Sequence, residues 1–372
     1  MQRAVTSQVH LAVGLVGPGL VGKALLEQLK FQIPNLEKKG ITLKVRGIMD
    51  AQQMLLASGE TSGLDLASWK EDLVHNGTDA SLGVLTEHLK ASQAPNRLVV
   101  DCTASALLPR FYPKWLEQGI HVVTPNKRLN AGPLPLWRQV KELQARGCAH
   151  YMYEGTVGAG LPVVSTLKAL LDGGDRVRRI EGVFSGTLSY VFNGLSPGDP
   201  FSEAVKAARL RGFTEPDPRD DLSGEDVARK VMTLARECGT LVPGVEAVDV
   251  ESLVPPGLEG PDVPLDEFLA SLARADAAMR DRMAEAARND LALRHVGTYD
   301  AVEKTCRVGL RAFPRTHPFA QLRGTENIIQ FTTQRYHDPC LTIRGPGAGP
   351  WNTAAGVFTD IVTLARYLGA HS

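Results

Sequence analysis

The sequence predicts a two-domain α/β protein, with a doubly wound parallel sheet at the N-terminus and an α+β domain after it. A chain of 372 residues is long for a single hydrophobic core. Residues 1–150 alternate buried-strand and helical patterns, which favours parallel strands joined by right-handed crossovers. From about Tyr151, helices mix with alternating segments typical of antiparallel sheet. We therefore assign residues 1–150 to the first domain, completed by 340–372, and residues 151–339 to the second.

The first domain is predicted from short apolar runs, each followed by a helical pattern. The strands expected here are Leu11–Val16, Ile41–Met49, Arg97–Cys102 and Ile120–Thr124. The helices expected here are Lys23–Lys30, Phe111–Gln118 and Leu134–Arg146. The second domain is predicted to contain the helices Pro162–Leu171, Ser202–Arg211 and Glu225–Glu237, the strands Arg176–Phe184, Thr305–Phe313 and Asn327–Thr333, and the charged helical segment Asp266–Asn289. A glycine turn at Gly345–Gly349 leads into a final helix, Thr353–Leu368.

Composition points to small-molecule chemistry. Forty-one basic residues balance 41 acidic ones, which gives no electrostatic reason to expect nucleic acid or an anionic membrane as partner. No apolar stretch approaches the roughly 18 residues that a membrane helix needs. The cysteines stand singly, without the spacing of a zinc site or a disulfide framework, and favour a reducing, cytoplasmic compartment, with a plastid left open; they are Cys102, Cys148, Cys238, Cys306 and Cys340.

A G-x-G-x-x-G string follows the first predicted strand and opens the first helix. In Gly17-Pro18-Gly19-Leu20-Val21-Gly22, the first glycine permits a tight turn and the second admits a pyrophosphate to the backbone. The third glycine lets helix and strand pack closely, and the helix N-terminus holds the phosphates. A simple turn would have the same glycines, but the strand and helix around them favour a Rossmann-type NAD or NADP site.

Polar residues follow three of the predicted strands, where an open α/β sheet collects its ligands. Asp50 ends the second strand, and a carboxylate there accepts a bond from a ribose 2′-hydroxyl and repels a 2′-phosphate, which favours NAD over NADP. An exposed turn residue fits Asp50 equally well. Thr103 follows the next strand and Lys127 the one after. A lysine in a loop is usually only a solvated charge.

Candidate catalytic and substrate-binding side chains are most concentrated in the loop and helix 213–230. Prolines stiffen a loop with several acids, and Ser223 with Asp226 forms a capping-box pattern, so we expect Ser223 as the helix N-cap. Asp226 and Lys230 are four apart on one helix face, which by itself fits a surface ion pair. Carboxylates beside a partly desolvated lysine also suit binding of a substrate ammonium group and proton transfer at an alcohol or aldehyde oxygen.

Four strings resemble the homoserine dehydrogenase family: FTEPDPRDDLSGEDVARK (213–230), FSGTLSYVFN (184–193), TPNK (124–127) and EGTVGAGLP (154–162). They are long and chemically unusual, and the resemblance runs from Val13 to Leu368. It is to the short form of the family, without an aspartate kinase segment or a C-terminal regulatory domain. It implies reversible interconversion of L-homoserine and L-aspartate 4-semialdehyde with NAD or NADP, and a homodimer formed through a second domain that also binds substrate.

The resemblance also implies roles for residues. Lys230 would be the general acid/base, with Asp226 orienting the site and Lys127 lying between the nicotinamide region and substrate. Substrate would be held by four further residues: Gly186, Thr187, Glu215 and Asp221. Thr103 and Gly349 would contact the cofactor, besides Asp50 and the glycine turn. A monovalent cation, usually sodium, would bind Glu154 and the carbonyls of Val157, Ala159 and Leu161. Phe213 departs from the usual tyrosine, and Trp351-Asn352 replaces a smaller, more apolar pair.

Two other functions are compatible with parts of the sequence. An aldehyde-oxidising dehydrogenase would need a thiolate beside a base, and Cys102 adjoins the cofactor segment but has no histidine in it. A dinucleotide sensor would keep the fold without catalysis. It would have no need of a pocket for a substrate ammonium group, which the set Lys127, Thr187, Glu215, Asp221 and Lys230 predicts.

Overall fold

The computed structural model describes residues 8–147, 149–260 and 262–370, and these form two compact units. Of these residues, unit 1 comprises 8–129, 135–147, 149–160 and 349–370, and unit 2 comprises 130–134, 161–260 and 262–348. Cys148 lies outside the described residues. No helix within the described ranges is long and apolar enough to cross a membrane.

Unit 1 is built on a seven-stranded sheet, counted over the described residues, with the order β4-β3-β2-β1-β5-β6-β7. Neighbours from β2 through β1, β5 and β6 to β7 are parallel, whereas β3 and β4 pair antiparallel at one edge. The elements are β1 (Val9–Val16), α1 (Leu20–Lys38), β2 (Ile41–Met49), β3 (Gln53–Leu56), α2 (Trp69–Asn76), β4 (Thr78–Asp79), α3 (Leu82–Lys90), β5 (Asn96–Asp101), α4 (Tyr112–Glu117), β6 (Ile120–Val123), α5 (Leu134–Ala145) and β7 (Tyr151–Met152).

Unit 2 carries a six-stranded sheet in its described part, in the order β13-β12-β8-β10-β11-β9. Its pairs are antiparallel except β9 with β11. Its elements are α6 (Val163–Asp172), β8 (Val177–Val183), α7 (Gly186–Gly194), α8 (Phe201–Leu210), α9 (Arg219–Leu222), α10 (Glu225–Glu237), β9 (Asp249–Val250), α11 (Leu265–Ser271), α12 (Asp276–Arg288), β10 (Leu291–Asp300), β11 (Thr305–Pro314), β12 (Glu326–Thr333) and β13 (Leu341–Pro346).

The C-terminal helix α13 (Pro350–Tyr367) belongs to unit 1. It buries Val357, Ile361 and Leu364 in one apolar core with the inner residues of β1 and α1. The chain re-enters unit 1 at Gly349, whereas we predicted residue 340. The difference arises because residues 341–346 form an edge strand that pairs with β12 in unit 2. The other boundary lies at Gly160, ten residues beyond the one we predicted.

The predicted fold class is confirmed: a parallel, doubly wound sheet in one unit and an α+β arrangement in the other. The charged segment 266–289 is not one helix but two, α11 and α12, joined by a 3₁₀ turn at Leu272–Ala275. The described residues of unit 2 contain three strands that we did not predict, β9, β10 and β13.

Candidate active site

The glycine turn of unit 1 has a physical reason at each position. Gly17 has φ +88°, and a Cβ there would lie 2.6 Å from Cγ2 of Thr103, so only glycine fits. A Cβ on Gly22 would lie 2.3 Å from the carbonyl oxygen of Gly17. Around Gly19 no heavy atom lies within 4 Å of the Cβ position, so a ligand can approach that backbone closely. This is the geometry that a pyrophosphate needs.

Helix α1 begins immediately after the turn, at Leu20, with Gly19 as N-cap and no side chain bonded to the cap. Its first N–H groups therefore point towards the turn without a side-chain acceptor, as an anion site requires. Leu20 is 76% exposed, and Val21 packs partly against the core.

A cavity of about 830 Å³ opens beside this turn. Among its lining residues are Gly17, Gly19, Lys23, Asp50, Trp69, Lys70, Cys102 and Thr103. Asp50 follows β2, and one of its carboxylate oxygens accepts the N–H groups of Gln52 and Gln53, each at 2.7 Å. Asp50 is therefore a turn residue and a cavity-lining residue at once, so our two alternatives do not exclude each other.

A buried aspartate, which we did not predict, joins the two loops that follow β5 and β6. Asp101 is fully buried and accepts bonds from the Thr103 N–H at 2.8 Å, the Tyr112 hydroxyl at 2.5 Å and the Asn126 amide at 3.0 Å. Burial raises the pKa of this carboxyl group, and the hydrogen bonds partly offset that effect. Asn126 precedes Lys127, so Asp101 fixes both Thr103 and the half-buried Lys127. The sequence could have indicated Asp101, because this aspartate stands at the end of a predicted buried strand.

Two further predicted ligand positions lie at turns of unit 1. Gly349 has φ +102° and is the N-cap of α13, where its carbonyl accepts the Thr353 N–H at 2.9 Å. Glu154 is 6% exposed at a 3₁₀ turn, and its N–H donates to Asp360 at 2.8 Å. Val157 and Ala159 follow in buried positions, Ala159 with a left-handed φ of 56°. Leu161 is the first residue of the second stretch of unit 2, and its carbonyl accepts the Val163 N–H at 2.8 Å.

In unit 2, Lys230 is buried in helix α10, with 8% of its surface exposed. Its ammonium group lies 2.8 Å from a carboxylate oxygen of Asp226 and donates to the carbonyl oxygen of Phe184 at 2.7 Å. A surface ion pair leaves its lysine solvated, and this one does not. The geometry suits a lysine held in a fixed position for proton transfer.

Three substrate residues that we predicted meet beside this lysine in unit 2. The Thr187 hydroxyl lies 2.7 Å from one oxygen of Asp221, and the other oxygen accepts the Glu215 N–H at 2.8 Å. Burial raises the pKa of Asp221 to about 6, and the negative charges of Glu215 and Asp226 add to that rise. A buried carboxylate surrounded by other acids is stabilised by an incoming cation. An ammonium group is the ligand that this cluster would favour.

The start of α10 differs from our prediction. The N-cap is Gly224, with a left-handed φ of 75°, and not Ser223. The short helix α9 ends at Leu222, and Ser223 still has a helical backbone conformation. The break between α9 and α10 therefore falls at Gly224, one residue later than the capping box implies. The Ser223 hydroxyl accepts the Glu225 N–H at 3.3 Å. Asp226, in the first turn of α10, pairs with Lys230.

Helix α7 starts beside the cluster and is capped by Ser185, whose hydroxyl accepts the Leu188 N–H at 3.1 Å. Gly186 and Thr187 form its first turn, so their N–H groups suit a carboxylate, as the resemblance implies. The Phe213 carbonyl lies 2.6 Å from the Thr187 hydroxyl oxygen. The Phe213 ring packs against Tyr190 in a tilted arrangement, with 4.8 Å between centroids. Its contact with Thr187 is through the backbone and does not need the missing tyrosine hydroxyl.

Arg219, which we did not assign a role, anchors the acidic loop. Its guanidinium group bonds both carboxylate oxygens of Asp217 and donates to the carbonyls of Gly260 and Val263 at 2.8 and 2.9 Å. It also lies over the ring of Phe268. The proline-stiffened loop thus has a second, electrostatic restraint, and its acids are held in place.

Three of the described cysteines, Cys102, Cys238 and Cys306, do not have the surroundings of a reactive thiolate. Burial raises the pKa of Cys238 and of Cys306 to about 12, and raises that of Cys102 as well, where Asp101 adds its negative charge. A nucleophilic thiol needs the opposite shift.

A glycine turn at a helix N-terminus and a separate lysine–carboxylate cluster define the class of two-unit, dinucleotide-binding α/β proteins. Sequence models of the homoserine dehydrogenase family match this chain at residues 162–362, and at 17–154 for the NAD-binding domain of that family. The chain belongs to the homoserine dehydrogenase family, as its motifs predicted.

Individual relatives support this membership. A homoserine dehydrogenase of Schizosaccharomyces pombe is 39% identical, over 98% of each chain. A chloroplastic bifunctional aspartokinase/homoserine dehydrogenase of Arabidopsis thaliana is 48% identical over the whole chain, which spans 40% of that protein's length. The crystal structure of a Candida auris protein of unknown function matches with a TM-score of 0.88 and 36% identity, over 97% of this chain and 99% of that one.

Proposed function

We propose that this protein is a homoserine dehydrogenase, which interconverts L-homoserine and L-aspartate 4-semialdehyde with NAD or NADP, in the threonine and methionine branch of amino-acid biosynthesis. The observation that carries the proposal is the buried Lys230, bonded to Asp226 and Phe184, in one cluster with Asp221 and Glu215. Family membership supports the same activity.

The roles follow from the chemistry of each group. Asp221 and Glu215 bind the substrate ammonium group, and the first turn of α7, at Gly186 and Thr187, binds its carboxylate. Lys230 takes the hydroxyl proton when homoserine is oxidised and returns it to the aldehyde oxygen in the reverse direction. Asp226 orients Lys230. The bound dinucleotide supplies or accepts the hydride.

The dinucleotide belongs to unit 1. Gly17, Gly19 and Gly22, with the first turn of α1 at Leu20 and Val21, hold its pyrophosphate. Asp50 accepts a ribose hydroxyl, which favours NAD. Further contacts to the cofactor come from Thr103, Lys127 and Gly349, and Lys127 also reaches the reacting end of the substrate. The cavity beside the glycine turn supports this assignment.

The segment 154–161 supplies a monovalent cation site, with the Glu154 carboxylate and the carbonyl oxygens of Val157, Ala159 and Leu161 as ligands. Carboxylate and carbonyl oxygens are the hard ligands that sodium would take. We also propose a homodimer formed through unit 2, for which the sedimentation coefficient is the test.

The direct test is purified protein with homoserine and each cofactor, followed by nicotinamide absorbance with and without sodium. Reduction of NAD or NADP that depends on homoserine is the expected result. Cofactor binding without turnover would instead favour a dinucleotide sensor. Oxidation of an aldehyde that stops after thiol alkylation would favour a cysteine thioester route.

A further inference from the structure

One backbone oxygen beside Lys230 accepts hydrogen bonds from two side chains. The Phe184 carbonyl accepts the Lys230 ammonium at 2.7 Å and the side-chain amide of Asn327 at 2.9 Å. Phe184 follows β8, and Asn327 lies in the neighbouring strand β12, where Ile328 pairs with Val183. Asn327 is fully buried. Its amide therefore fixes the oxygen on which Lys230 rests.

This arrangement has a cost that packing alone does not explain. The Asn327 side-chain oxygen is buried and has no hydrogen-bond partner within the part of the chain that the structure describes. Leaving such an oxygen unbonded disfavours folding, and an apolar residue of similar shape would avoid it. A Cβ on Gly347 would lie 2.1 Å from the Asn327 amide nitrogen, so the chain there also leaves room for this side chain.

A purely structural role would resemble that of Asn193, in α7. The Asn193 amide donates to the Gly324 carbonyl at 3.1 Å, and its oxygen is likewise buried and unpartnered among the described residues. The two asparagines thus share the same local chemistry. They differ in the carbonyl that each holds, because only the Phe184 carbonyl, of these two, also accepts a bond from Lys230.

From this geometry we infer that Asn327 is a positioning residue for proton transfer, which acts on Lys230 through the Phe184 carbonyl. The inference rests on the proposed function, in which Lys230 is the acid/base. Without the Asn327 amide, the Phe184 oxygen loses one of its two donors and the ammonium group loses its fixed support. A small displacement of a reacting group is enough to slow turnover about a hundredfold.

Other charged groups near Lys230 must be separated from this effect. Asp226 lies on the same helix, and Asp221 of the acidic loop has a pKa of about 6, raised by burial and by Glu215 and Asp226. His295, on the strand β10 that packs against α10, is neutral above about pH 4 because burial lowers its pKa. Glu246, in the 3₁₀ turn beside α10, acts on Arg236 at the far end of the helix. None of these changes when Asn327 is replaced.

The test uses the full chain with Asn327→Ala and Asn327→Asp, and Asn193→Ala and Asn193→Asp as matched controls. Asn327→Ala is expected to lower kcat for homoserine oxidation by about tenfold to a hundredfold while the KM for NAD or NADP changes less than about twofold. Asn327→Asp puts a carboxylate within about 6 Å of the ammonium group, a range at which an opposite charge favours the charged form. The pH at which kcat rises should therefore move up by about one unit.

The pH limb is read only over the pH range in which circular dichroism shows the variant to be folded, so it remains readable if Asn327→Asp is less stable. If both Asn327 variants keep the pH limb and the kcat of the Asn193 controls, Asn327 has only a structural role and the inference is wrong. If the unaltered protein itself does not oxidise homoserine, the proposed function fails instead.

Discussion

Asp221 is placed where ionisation disfavours folding, and its replacement by asparagine should show this directly. Burial raises the pKa of Asp221 from 3.8 to about 6. Asp221→Asn keeps the hydrogen bonds, because the new oxygen can accept the Glu215 N–H and the new amide can donate to the Thr187 hydroxyl. That hydroxyl can still donate to the Phe213 carbonyl. The variant therefore removes a charge without leaving a polar group unbonded.

The expected gain in stability follows from proton linkage. Below pH 3.8 both folded and unfolded chains hold the Asp221 proton, so ionisation has no effect there. As the pH rises the unfolded chain ionises first, and the folded state loses stability progressively until about pH 6. Above that pH the loss is complete, at most about 3 kcal/mol. Asp221→Asn should therefore be more stable than the unaltered protein by up to about 3 kcal/mol at pH 8, and by about half as much at pH 5.

Urea denaturation at pH 5 and pH 8 measures both differences, with nicotinamide absorbance as the parallel activity assay. The same substitution should raise the KM for homoserine about tenfold to a hundredfold, because a charge-assisted bond to the substrate ammonium group is lost. A variant that is less stable at pH 8, or equally stabilised at both pH values, would refute the account of Asp221.

Three further outcomes are expected. Gly22→Ala should weaken cofactor binding at least about tenfold, since its Cβ would lie 2.3 Å from the Gly17 carbonyl oxygen. Gly83→Ala in α3 should not, because its Cβ would meet only the Ser81 hydroxyl oxygen, at an ordinary contact distance of 3.7 Å; isothermal titration with NAD compares the two variants. Alkylation with iodoacetamide at pH 7 should leave turnover intact, because burial raises the pKa of Cys238 and Cys306 to about 12. Asp50→Ala should shift the NADP-to-NAD ratio of kcat/KM towards NADP by about tenfold, and an unchanged ratio would remove Asp50 from cofactor selection.

Much of the fold was predictable because its signals are local. The glycine turn, the buried strands of unit 1 and helix α10 are each fixed by residues within one element. Strand β10 escaped prediction because Gly297 interrupts its pattern, and that glycine reflects a distant helix. A Cβ on Gly297 would lie 2.5 Å from Val231 and 2.9 Å from Val227, both in α10. No short window of sequence contains that information.

The same limit applies to the candidate site. The acids of the loop and Lys230 are close in sequence, so their type and spacing indicated the chemistry. The support for Lys230 is not local: the Asn327 amide reaches a carbonyl 143 residues away, and the bond depends on the register of β12 against β8. Gly224 took the N-cap because a short helix precedes α10, which the capping pattern did not reveal. Sequence thus indicated Lys230 and its neighbour Asp226 as candidates, whereas the contact of Asn327 with the Phe184 carbonyl required the structure.

In the proposed mechanism, Lys230 moves the substrate proton while unit 1 binds the cofactor independently of it. Single-turnover mixing of Lys230→Ala with homoserine and saturating cofactor, alongside the surface control Lys206→Ala, measures hydride transfer and cofactor affinity in one preparation. We expect Lys230→Ala to bind the cofactor as tightly as the unaltered protein and to form reduced nicotinamide at least about a hundredfold more slowly, with Lys206→Ala unchanged. Transfer in Lys230→Ala at a near-normal rate would contradict the claim.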